Sequence, residues 1–117
     1  MGNTEFTTVT NDFNSQEFPD STHDIITVIT GDLADRLQAR HNMTGDVCIH
    51  QHGDEGGYSE YTVEWDWSAW ITIGGVKVGP EREGYSEVDD WQYEINRGSS
   101  GWSANDISKY LLEVGAE

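Results

Sequence analysis

From Tyr58 to Trp67 the side chains alternate without a break: Tyr61, Val63, Trp65 and Trp67 share one parity, and Glu60, Thr62, Glu64 and Asp66 share the other. A strand sends successive side chains to opposite faces, whereas a helix would scatter both sets around its axis. The segment therefore reads as a half-buried antiparallel strand with an aromatic face and an acidic face. The same period precedes it, with Val47, Ile49 and Gln51 on one side and Cys48, His50 and His52 on the other. After it, Trp70–Ile73 and Val76–Val78 flank Gly74-Gly75, a pair that accepts the positive φ of a two-residue hairpin turn.

Around this ribbon the remaining segments fall into place. Residues 1–22 read as an irregular segment with an edge strand near its start. Asp24–Thr30 is β-branched and apolar on both parities, which suits a strand covered on both sides or one end of a central strand. Asp32 in a first turn, Leu33 and Leu37 four apart, and Arg36 and Arg40 toward the end predict a helix over 32–43. Gly53–Gly57 reads as a turn or short loop and Pro80–Gly84 as a charged loop. Val88–Ile95 alternates Trp91, Tyr93 and Ile95 against Asp90, Gln92 and Glu94, a further strand with a helix as the competing reading. Ser103 and Asp106 resemble a capping box ahead of Ile107, Tyr110, Leu111 and Val114, which predicts a helix over 103–115. The sum is one α+β domain over 1–117: a curved antiparallel sheet of four to six strands, with 46–95 as its main body, packing one or two helices on one face.

Charge narrows the function. The chain of 117 residues carries 22 Asp and Glu against 6 Lys and Arg, a formal net charge of −16, spread as −5, −5 and −6 over residues 1–44, 45–80 and 81–117. Direct nucleic-acid binding led by Lys and Arg is excluded, because neutralising phosphates needs a basic footprint. No apolar run approaches the roughly 20 residues that cross a bilayer. A lone Cys48 closes no intramolecular disulfide, which points to a reducing, cytoplasmic setting. Apolar content is only 35%, yet five tryptophans, five tyrosines and three phenylalanines supply large buried surfaces for a fold.

Cys48, His50 and His52 share a strand face and could offer soft and imidazole ligands to zinc or iron. With Gly45 and Glu55 they weakly resemble the first motif of the cupins, small β-barrels that hold a metal. Here Gly45 to His50 is off by one residue, Glu55 follows His52 too closely, and the downstream histidine motif is missing. Phosphate-cradling loops, calcium loops and activated nucleophiles lack signatures, so neither an enzyme nor a cofactor is expected.

The acids carry the expectation. Alternate residues of a strand lie about 6.6–6.8 Å apart, so Glu60, Glu64 and Asp66 form a rigid row of charge, comparable with every second phosphate step of a DNA strand. Glu81, Glu83, Glu87, Asp89 and Asp90 form a second cluster with only Arg82 beside it. In size, charge and alternating acid display the chain resembles the phage-type DNA-mimicking inhibitors, which include anti-restriction and anti-CRISPR proteins. That resemblance implies a non-catalytic protein whose partner is a basic nucleic-acid-binding protein: a nuclease, CRISPR effector or DNA-binding regulator. It leaves the oligomeric state open, a homodimer included. The competing readings are a salt-adapted acidic binding module, favoured by only two lysines, and the cupin-like metal protein.

Overall fold

The structure, a computed structural model, describes residues 3–14, 21–58, 62–89 and 109–111. Five strands, β1 (Glu5–Asn14), β2 (Thr22–Thr30), β3 (Val47–Tyr58), β4 (Thr62–Ile73) and β5 (Val76–Asp89), form one antiparallel sheet in the order β1-β2-β3-β4-β5. Among the described residues a ten-residue helix, α1 (Asp32–His41), connects β2 to β3, and residues 109–111 are helical. The domain is mostly β.

The register aligns the buried parity of every strand. His23, Ile25, Thr27 and Ile29 of β2 lie beside Val47, Ile49, Gln51 and Gly53 of β3, and these beside Trp67, Ala69, Ile71 and Ile73 of β4. Ala34 and Leu37 of α1 close this inner face at its aliphatic end, and Tyr110 and Leu111 join the same core. The Tyr110 hydroxyl donates to the Pro80 carbonyl at 2.9 Å, so the buried ring keeps its polar tip satisfied. Of the two readings of this segment, coverage on both sides does not hold: β2 lies inside the sheet, between β1 and β3, buried on one face with Asp24, Ile26 and Val28 half-buried on the other.

α1 ends two residues before the expected boundary. Asn42 takes a left-handed conformation, its N–H donates to the Ala39 carbonyl and that of Met43 to the Gln38 carbonyl, a Schellman arrangement that satisfies carbonyls the last turn would orphan. Met43 then packs against the core. At the Gly74-Gly75 hairpin signal the expectation holds: Gly74 and Gly75 have φ 58° and 84°, and Ile73 pairs with Val76 across the turn.

Two loop assignments are overturned. Gly53–Gly57 continues β3, paired with β4 through a bulge between Glu55 and Gly57. Pro80–Gly84 belongs to β5, with a bulge opposite Ala69–Ile71; β5 is the last strand of the sheet among the described residues, and an edge position tolerates a residue that lacks an N–H. Val88 and Asp89 end β5, while 90–95 and most of the 103–115 helix lie outside the described residues.

Gly53 has a packing role that its turn-like neighbourhood conceals. It sits directly opposite Trp67, and a Cβ built on it would lie 2.8 Å from the indole ring. That ring is itself held, stacked on Trp65 at 5.9 Å and tilted against His23 at 5.5 Å. Gly53→Ala is therefore expected to lower stability by about 1–3 kcal/mol, the usual penalty for overpacking a core that has no room to give. Chemical denaturation monitored by tryptophan fluorescence measures it, and a change below a few tenths of a kcal/mol would show that the indole moves freely.

Candidate functional site

Because both helical segments pack on the inner face, the opposite parity of the sheet forms a broad outer face with two chemically distinct ends. At the end near the β4–β5 turn, Ile26, Val28, Cys48, His50, Trp70 and Thr72 are partly or largely buried against one another. The His50 ring lies parallel to that of Trp70 (5.4 Å, 3°), and its Nε2 is 2.8 Å from Thr72 Oγ1. Lys77 Nζ stands 5.3 Å from the Trp70 ring centre and pairs with Glu81 at 2.9 Å. Burial lowers the pKa of His50 and, helped by the Asp46 charge, raises that of Cys48 against an opposing hydrogen bond to Thr72. Cys48 is accordingly held as a thiol, the unreactive form.

The other end is acidic. Asp12 of β1 pairs in register with Asp24 of β2, and Asp54 of β3 with Asp66 of β4; Glu64 lies two residues along β4, and Glu83 of β5 pairs with Ser68. Directly opposed residues on neighbouring strands are about 5 Å apart at Cβ, where like charges repel by about 0.8 kcal/mol even in bulk-water dielectric. Within this field sits His52. Its Nδ1 is 2.6 Å from Asp24 Oδ1 and its Nε2 is 2.9 Å from Asp54 Oδ1. Carboxylates accept, so both ring nitrogens must donate, and the ring that satisfies both is the imidazolium. The Asp24 hydrogen bond, against partial burial and with help from Asp54, raises the pKa of His52.

The acids singled out by sequence are distributed as follows. Glu64 and Asp66 are on the outer face, half-buried and exposed respectively. Glu81 and Glu83 are exposed on β5, Glu87 is the register partner of Glu64, and Asp89 that of Thr62. Glu60 and Asp90 lie outside the described residues. The described members of the two clusters, expected to act separately, lie on neighbouring strands of one hairpin. Sequence reasoning missed Asp12, Asp24, Asp54 and the bridging role of His52. The parity of Asp54 with His52 was visible, but which strand would supply Asp24 was not.

Among the described residues the cupin-like ligand set is not brought together. Glu55 is buried on the inner face, opposite to His50 and His52, so the cupin-like set is split by the sheet. Among the described residues no group of three or more His, Cys, Asp or Glu is arranged to hold a metal ion, and no helix is long and apolar enough to cross a membrane. No protein-family description, curated protein or solved structure matches the chain.

Histidines give this face a pH signature. His23, buried beneath it and hydrogen-bonded through Nε2–H to Asn11 Oδ1, has its pKa lowered by burial against the pull of Asp24 and Asp12. Below the ordinary histidine value of about 6.5 the unfolded chain binds a proton that native His23 resists, so its contribution to stability falls with falling pH. His52 behaves oppositely: its stabilisation is complete below about 6.5 and is lost as pH rises through its raised native pKa. His52→Gln should therefore cost about 1 kcal/mol, discounted for its partial exposure, near pH 6 and progressively less above neutrality. Denaturation of both proteins between pH 6 and 9 checks this; a difference independent of pH would remove the imidazolium bridge.

Proposed function

We propose that this protein is a non-catalytic binding module that presents its acidic sheet face to the basic nucleic-acid-binding groove of another protein and competes there with DNA or RNA. The observation that carries the reading is the placement of Asp12, Asp24, Asp54, Glu64, Asp66 and Glu83 on one face across all five strands. A sheet holds such charges at fixed spacing, so a basic partner gains their summed field with little loss of side-chain freedom. Trp70, at the apolar end of the same face, supplies the kind of aromatic anchor on which interface energy concentrates. The partner class is a nuclease, a CRISPR effector or a DNA-binding regulator.

Salt adaptation is the second reading, and the directly opposed pairs Asp12/Asp24 and Asp54/Asp66 favour it, since molar salt screens the repulsion that they carry. The two readings differ in what the fold requires. A docking module keeps its β-rich circular dichroism spectrum in about 0.15 M salt, the physiological ionic strength; a salt-adapted domain unfolds there and recovers in molar salt.

Charge reversal tests docking directly. The tagged protein is expected to retain nucleic-acid-binding proteins from a lysate at low salt and release them to duplex DNA. Glu64→Lys combined with Asp66→Lys should weaken that retention about tenfold or more while leaving the spectrum unchanged. Equal retention by the folded double variant would remove this face from the interaction.

A further inference from the structure

The two edges of the sheet differ in how well they are protected from pairing with another strand. β5 carries Gly79 and Pro80, a bulge opposite Ala69–Ile71, the Lys77–Glu81 ion pair and then Arg82 and Glu83. Proline, charge and bulges are the devices that blunt an edge. β1 has neither proline nor lysine. From Phe6 to Asn11 it is uncharged, in a chain of net charge −16, and it is exposed along nearly its whole length. Phe6 and Val9 are 50% and 59% exposed, among the largest apolar exposures of the described residues. Its one irregularity is the extra residue between Thr8 and Thr10, which leaves Val9 outward without ending the strand. Among the described residues β1 pairs only with β2, so from Phe6 to Asn11 one row of its backbone N–H and C=O groups has no strand partner among them.

The geometry points to a second copy of this chain as the occupant: two β1 strands pair antiparallel and join two sheets into one of ten strands. A neutral strip is where two strongly acidic bodies approach at least cost, which favours a like strand over a basic one, whose natural place is the acidic face. The contact is isologous, so a single strand supplies both halves of it. Among the described residues it also terminates, because each outer edge of the joined sheet is then the blunted β5. Opposed partners would be Thr, Phe and Val side chains, the β-branched and aromatic pairs that stabilise neighbouring strands. The two-fold axis of an antiparallel pair is normal to the sheet, so both outer faces point the same way and Asp12 and Asp24 of each copy flank the seam. This inference stands whether or not that face docks on a basic groove.

Sedimentation velocity of the full chain at 0.1 M and 1 M NaCl, with hydrogen exchange at low and high protein concentration, tests it. The expected result is a monomer–dimer equilibrium that salt strengthens, because screening relieves the repulsion between the two bodies, with protection in β1 that rises with concentration. Thr8→Glu combined with Thr10→Glu, both on the exposed strand, should weaken dimerisation tenfold or more with an unchanged circular dichroism spectrum; should that variant lose its fold, the exchange pattern of the parent chain alone decides. A parent chain that stays monomeric at both salts overturns the proposal. So does a dimer whose β1 amides gain no protection, or one that the folded variant forms equally well.

Discussion

Every feature of this domain hangs on strand parity. A slip of β4 by one residue against β3 would turn Glu64 and Asp66 into the layer that Trp65 and Trp67 fill, and would lift both indoles into water. Burying each carboxylate without a partner would cost several kcal/mol, and each exposed indole would forfeit much of the area that makes so apolar-poor a chain fold. Register is consequently specified far more strongly in β3 and β4 than turn chemistry alone could achieve. The acidic face is the counterpart of the aromatic core, because the same alternation that drives one set inward fixes the other outward.

That coupling explains how much of the molecule could be read from its residues. Alternation is local, so the inner and outer parities of β3 and β4 were legible, as was the Gly74-Gly75 turn. α1 was legible from its charged ends and its leucine spacing. What local chemistry misreported were Gly53–Gly57 and Pro80–Gly84, where glycine, acid and proline imitate loops. In each case tertiary pairing overrides the local signal: Gly53 supplies the space that the Trp67 ring occupies, and Pro80 sits on an edge strand while its carbonyl accepts from Tyr110. The candidate face was half legible for a related reason. Glu64 and Asp66 announce themselves by parity within one strand, whereas Asp12, Asp24 and Asp54 join them only through register, which lies in contacts between segments distant in sequence.

The two proposed surfaces of the same sheet would answer ionic strength in opposite senses. The outer face would meet a partner of opposite sign, so its association weakens as salt screens attraction. The β1 edge would meet its own likeness, so there salt removes repulsion and leaves main-chain hydrogen bonding and apolar contact in charge. An acidic protein of this kind need not choose between solvation and recognition by composition, because the distinction lies in where the uncharged strip and the charged field fall on the fold.

The placement of His52 follows from a related constraint. Between strands about 4.8 Å apart, a cation that relieves carboxylates on two sides must present donors in opposite directions from a short side chain. Lysine offers its donors at one point at the end of a long flexible stem, and arginine extends its fork well beyond the pleat. Imidazolium carries N–H groups on two edges of a small rigid ring, which lets one residue reach Asp24 on β2 and Asp54 on its own strand together. The cost of that fit is titratability: where lysine or arginine would hold a permanent charge, His52 loses its proton above its raised pKa and returns both carboxylates to the field of Asp12, Asp66 and Glu83. Compactness and a pH-dependent face are therefore the same choice of side chain.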